Sequence, residues 1–202
     1  MDDPLAVIGG VFDERAPTYD ESTMHRAVAA AVAEFVDLEG VGVVLDAATG
    51  TGLVLRAIAR RAPELRLIGV DISPGMLAIA QAELSTAEWC ATDASTIPLP
   101  DGSVDLITCV TALHIIPDVD RAAAEWRRVL RGNGRLVTAS FASTPPAVQV
   151  PPGPYRRDHA PYASVDALAA TFRAFGFSLS RHTGWTDQRD TLLLAEMIPT
   201  SG

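Results

Sequence analysis

The chain has 202 residues, 48% of them hydrophobic, which suffices for one good core and argues against two full domains. Its 16 lysines and arginines against 25 aspartates and glutamates leave a formal charge of −9, which repels polyphosphates and argues against nucleic acid as a partner. The start Met1-Asp2-Asp3-Pro4 lacks the positive stretch of a secretory signal, and no apolar run reaches the ~18 residues of a membrane span, so a cytoplasmic location is expected.

After a polar start, Ser22 is placed to cap a helix whose Met24, Ala27, Val28, Ala31 and Phe35 follow helical spacing. Residues 41–47 form a short apolar run read as a buried strand, and Gly50-Thr51-Gly52 turns out of it. A helix over 53–61, broken at Pro63, and a strand over 65–70 complete a βαβ unit. Pro74 opens the next helix, with Met76, Leu77 and Ile79, and a strand follows near 88–92. Residues 104–110 read as a strand, and Val119, Ala122, Trp126, Val129 and Leu130 as a helix stripe that Gly132-Asn133-Gly134 stops, Asn133 being able to take a left-handed conformation.

A strand over 135–141 leads into a long proline-rich loop, 142–163, of a length that is uncommon without a function. Ser164 caps a last helix ended by Gly176, and two runs, 177–183 and 191–198, form a hairpin. The expectation is a single α/β domain over 1–202: a doubly wound, mainly parallel seven-stranded Rossmann-like sheet with an antiparallel C-terminal hairpin. Cys90 and Cys109 lie in apolar strand-like segments without metal-ligand spacing and read as small hydrophobes, so no metal is expected.

In such sheets ligands bind beyond the carboxyl ends of the strands, which singles out the turn after the first strand. A dinucleotide fingerprint starting at Gly50 needs a glycine at position 55, which is Leu55, and no Gly-Lys-Ser or Gly-Lys-Thr phosphate loop is present. Asp71, 19 residues past Gly52, ends the second strand, where a carboxylate can accept hydrogen bonds from both ribose hydroxyls or cap the following helix. Asp93 ends the third strand, where it can meet the exocyclic amine of an adenine or simply close a turn. Three successive strand ends thus suit an adenosine.

The chain resembles the class I S-adenosylmethionine-dependent methyltransferases, in particular the small bacterial enzymes related to ubiquinone and menaquinone biosynthesis methyltransferases. The likeness is carried by 12–20 (Phe-Asp-Glu-Arg-Ala-Pro-Thr-Tyr-Asp), 44–52, 68–77, 92–105 and 130–136. It implies S-adenosylmethionine as cofactor, with residues 1–36 as lid and helix and 142–163 as a substrate loop. By that resemblance Asp46, Ala48, Thr49, Gly50 and Gly52 border the methionine part, and Val110 lends a backbone carbonyl. Asp71, Ile72 and Met76 hold the ribose side, Thr92, Asp93 and Ala94 the adenine, and Tyr19 belongs to the lid. Ala48 stands where the family usually has a glycine.

His114, just past the fourth strand, is the candidate catalytic base, with packing or pocket lining as the other reading. Tyr155, Arg156, Arg157, His159 and Tyr162 supply a polar and aromatic set that can close over a substrate and pair an anionic group. His25 and His182 read as ordinary surface or packing residues, and Trp185 as an exposed edge contact or part of a homodimer interface. The expected function is methyl transfer to an O-, C- or N-nucleophile of a small molecule. The alternative is a protein that binds the cofactor without methyl transfer, as a partner protein or a cyclase-like catalyst.

Overall fold

A computed structural model describes residues 3–142 and 153–200; the central part of the proline-rich loop, 143–152, lies outside the described residues. The chain runs α1(Pro4–Tyr19), α2(Thr23–Phe35), β1(Val43–Ala47), α3(Leu53–Arg61), β2(Arg66–Asp71), α4(Pro74–Glu83), β3(Glu88–Ala91), β4(Val104–Val110), α5(Val119–Val129), β5(Leu130–Phe141), α6(Val165–Arg173), β6(Phe177–Thr186) and β7(Thr191–Pro199). The seven strands lie in the order β3-β2-β1-β4-β5-β7-β6. β1 to β5 pair in parallel, and β7 inserts between β5 and β6 antiparallel to both, so the hairpin completes the sheet as expected.

Alternation along the strands sends Leu45, Ile68, Val70 and Ile107 to one face and Val44, Leu67 and Leu106 to the other. The first face packs on α5 and α6 around Trp126 and Phe172, and the second on α2 and α3 around Val28, Val32, Leu55 and Ile58. Side-chain caps set the helix starts: the Ser22, Ser73, Asp118 and Ser164 oxygens accept from backbone N–H groups three residues on.

Two local expectations change. The polar start is a 16-residue helix, α1, capped by Asp3 with Pro4 in its first turn. The helix α5 stops at Val129, before the Gly-Asn-Gly run: Leu130 already pairs with Val104, and the register then jumps to Arg135 opposite Leu106. Residues 131–134 therefore bulge within β5, and Asn133 is not left-handed. A Cβ on Gly134 would meet Leu130 Cδ1 at 2.7 Å, so the bulge closes against its own strand. Asp105 Oδ2 accepts from Gly42 N (2.9 Å) and Val43 N (2.8 Å), which ties the entry of β1 to β4.

Trp89 of β3 lies across two glycines. A Cβ on Gly69 would come within 2.4 Å of its Cζ3, and one on Gly52 within 2.6 Å of its Cη2. Gly69→Ala is therefore expected to cost about 2 kcal/mol in urea unfolding, because the indole and Thr49 block the added methyl. Trp89→Leu in the same chain should recover part of that loss; an unchanged Gly69→Ala midpoint would show that the indole does not fill this space.

Candidate functional site

The carboxyl ends of β3, β2, β1 and β4 open on one cavity of about 1010 Å³, including its open mouth, with α1 as one wall. Of the expected residues, Tyr19, Ala48, Gly50, Asp71, Ile72, Thr92, Asp93, Ala94, Val110, His114 and Tyr155 line it. Asp46 and Thr49 line an adjoining recess of about 400 Å³, which shares Tyr19, His25, Ala48, Gly50, Val110 and Thr111 with the main cavity.

Asp71 organises the turns. Its Oδ2 accepts from Gly50 N (2.8 Å) and its Oδ1 from Ser73 N (2.9 Å), so one carboxylate holds the β1–α3 and β2–α4 loops together. Burial pushes its acidity down, raising the pKa against these hydrogen bonds. Asp46, 2% exposed, accepts from Thr49 Oγ1 and Thr108 Oγ1, both at 2.6 Å, and burial lifts its pKa to about 6. Asp93 accepts from Ser95 N and Ser95 Oγ, a local turn that fixes its loop. The neighbouring Ala94 carbonyl accepts from the buried Trp126 indole at 3.0 Å.

Two backbone positions are strained. Ala48 (φ 55°) and Thr111 (φ 54°), after β1 and β4, are both left-handed and both line the cavity. The turn at Ala48 thus has the geometry a glycine adopts freely, and the alanine carries the cost.

Carboxylates latch α1 to the neighbouring helices. Asp13 Oδ1 of α1 accepts from Ser73 Oγ (2.6 Å) and Gly75 N (2.8 Å) at the start of α4. Asp20 accepts from Thr51 Oγ1 (2.5 Å) and pairs with Arg56, which also holds Glu83 at 3.1 Å. His25, read from sequence as an ordinary residue, stacks on Tyr19 at 4.4 Å and lines both hollows, its Nδ1 buried without a partner. Its pKa falls to about 4 through burial and the charge of Arg15. Burial raises that of the Tyr19 hydroxyl to about 12. The spacing of Tyr19 and His25 across a helix corner left no sequence signal for this pair.

Five expected residues, Gly52, Met76, Arg156, His159 and Tyr162, line neither hollow. Gly52 has its open side filled by Trp89, and Met76 is fully buried in α4. Tyr162 is 6% exposed in the core, and Arg156 points to solvent beside Asp158. The neighbour Arg157 lines the cavity in place of Arg156. His159 stacks on His114 at 4.2 Å, and Phe141 meets both rings edge-on. The His114 carbonyl accepts from Asp158 N (2.8 Å), which pins the described end of the loop here. His182 is exposed on β6, and Trp185 is half-buried against the core. Among the described residues no His, Cys, Asp or Glu cluster could hold a metal ion, and no helix is long and apolar enough to cross a membrane.

Replacing Ala48 by glycine should stabilise the fold by about 1 kcal/mol in chemical unfolding. No gain would mean that the left-handed turn costs nothing here. Burial lowers the pKa of His114 to about 3. The unfolded imidazole takes its proton near 6.5, so His114 contributes full stability above that pH and loses it as pH falls toward 3. From pH 7 to 5 the unfolding midpoint of wild type should therefore drop more steeply than that of His114→Gln, and parallel curves would contradict the burial of a neutral ring.

Residues 45–138 match the family described as "Methyltransferase domain". Demethylmenaquinone methyltransferase of Thermotoga maritima is 45% identical over 94 residues, 46% of this chain and 41% of that protein. The ubiquinone/menaquinone biosynthesis C-methyltransferase UbiE of Dinoroseobacter shibae is 30% identical over 156 residues, 71% of this chain and 62% of that protein. The chain thus spans less than two thirds of the length of these relatives. The DhpI–SAH complex superposes with a TM-score of 0.72 at 23% identity, covering 98% of both chains. The [4+2]-cyclase SpnF gives 0.71 at 19% identity, over 87% of this chain and 81% of that one. Both share the fold.

Proposed function

We propose that this chain, which carries a class I S-adenosylmethionine-dependent methyltransferase domain related to the quinone methyltransferases, moves a methyl group from that cofactor onto a small-molecule acceptor. The observation that carries the reading is the order of groups along one sheet edge. Asp93 and Ala94 follow β3, Asp71 follows β2, the Gly50 turn follows β1, and Thr111 and His114 follow β4, all facing one cavity. That row has the sequence of an adenine, a ribose, an amino-acid tail and an acceptor.

The residues fit the cofactor. A Cβ placed on Gly50 (φ 56°) would meet only Tyr19, at 3.9 Å, so the turn offers bare backbone to a ligand. The Asp71 carboxylate, held by Gly50 N and Ser73 N, borders the cavity where a ribose hydroxyl can donate to it. His25 lines the recess together with Asp46 and Thr49, where the amino-acid tail would lie.

When bound, the cofactor supplies an electrophilic methyl group on a good leaving sulfur. The chain's work is then positioning and the exclusion of water. α1 and the 153–159 segment close over the cavity, Phe12 stacking on Tyr155 at 6.4 Å. His114 and Phe141 wall the acceptor side.

Asp71→Asn is expected to weaken S-adenosylhomocysteine binding by about 1.5 to 3 kcal/mol in calorimetry, with the fold retained. Unchanged affinity would remove the ribose assignment. Wild-type protein that binds the nucleoside but methylates no member of a broad metabolite panel would favour a cofactor-binding protein without transfer.

A further inference from the structure

We propose that the acceptor is a planar anion, an aromatic or conjugated carboxylate, whose charged oxygen takes the methyl group directly; this rests on the methyl-transfer reading above. The cavity is lined by two guanidinium groups, Arg15 from α1 beside Tyr19, and Arg157 from the segment after residue 152, near His114. Among the described residues neither has a carboxylate partner, although the chain carries a net charge of −9. Arg56, Arg66, Arg128, Arg131, Arg135 and Arg181 sit in ion pairs, and of the arginines without one, Arg15 and Arg157 are the two that line the cavity.

Both free cations lie over aromatic faces. Arg15 Cζ is 5.1 Å from the Phe12 centroid and 5.5 Å from that of Tyr19, and Arg157 Cζ is 5.2 Å from that of Tyr155. Phe12 and Tyr155 themselves stack across the mouth, with an interplanar angle of 28°. Rings that hold a flat guanidinium in place on either side of an opening suit a flat ligand carrying negative charge.

Among the described residues the two histidines at the His114 end stack on each other, and burial lowers the pKa of both His114 and His159. His114 lies against His159 and Phe141, with no carboxylate behind it to raise its basicity, and Arg157 nearby disfavours its protonation. The carboxylates that line the cavity, Asp71 and Asp93, stand at the nucleoside end. A phenol or carbon acid would have to lose a proton here, whereas a carboxylate oxygen needs no base. Its lone pair forms the new C–O bond while the methyl C–S bond breaks and leaves its electron pair on sulfur. One negative and one positive charge cancel, and no proton is released. The ester product is neutral and loses its hold on the two arginines, which favours its departure. His114 serves as a positioning wall in this scheme.

Protein saturated with S-adenosylhomocysteine should be titrated at low salt with cinnamate, cinnamamide and, without oxygen, 1,4-naphthohydroquinone. Cinnamate is expected to bind, with the amide weaker by about tenfold or more, as loss of a charged hydrogen bond dictates. Arg15→Gln and Arg157→Gln should each weaken cinnamate by about tenfold, Arg157→Gln leaving the S-adenosylhomocysteine affinity unchanged and Arg157→Lys recovering part. With S-adenosylmethionine, methyl cinnamate should form. Equal or tighter binding of the amide or the hydroquinone, arginine variants that bind cinnamate like wild type, or binding of none of the probes to the nucleoside-loaded protein would overturn the proposal. Failure to bind S-adenosylhomocysteine at all would remove the methyl-transfer reading as well, and is seen separately in the first titration.

Discussion

The hydrogen bonds of Asp71 set the geometry from which the remainder of the site is built. A carboxylate at the end of β2 accepts from the backbone of the β1 turn on one side and of the β2 turn on the other. Charged acceptors to backbone N–H groups are among the stronger hydrogen bonds in proteins, and burial strengthens them further. With those two loops fixed against each other, the strand ends form one continuous rim. The parallel register supplies the rest: Ala47 lies beside Val70, and Asp71 beside Ala91. Each turn therefore begins at nearly the same height above the sheet, and side chains far apart in sequence face one cavity.

A second set of carboxylates works from above. Asp13 and Asp20, both in the motif at 12–20, hold α1 to the starts of α4 and α3. The acidic residues of that motif thus fasten α1, while its aromatic residues, Phe12 and Tyr19, face the cavity. Asp105 likewise braces the opposite end of β1 and β4. Part of what reads in sequence as a set of binding motifs is the bracing that keeps a binding surface in shape.

How much was legible follows from which forces act locally. Strands with buried alternation, helices with Ser caps, and the glycine turns of β1 and α6 could all be read along the chain, because each is set by residues within a few positions. The helix α1 was not, since Gly9, Gly10 and Pro17 blur its pattern and its stability comes from contacts with α4, whose position only the fold supplies; the pair Asp3-Pro4 was the available signal. Gly52 reads as a ligand-facing glycine, yet its space belongs to Trp89, 37 residues away. In the loop, residue types alone could not separate Arg156 from Arg157 or reveal that Tyr162 turns into the core. The pairing of His25 with Tyr19 depends on the angle between α1 and α2, which no local rule determines.

The fastening of α1 also bears on timing. This helix is at once a wall of the cavity and a part secured by several short hydrogen bonds, so the same contacts that shape the pocket also resist its opening. Opening the cavity along α1 must part Asp13 from Ser73 and Gly75, or work around the Phe12–Tyr155 stack. Such gates commonly move on microsecond to millisecond scales and set the pace of a catalytic cycle. A grip firm enough to keep water out thereby becomes a clock on how often the pocket can be emptied and refilled.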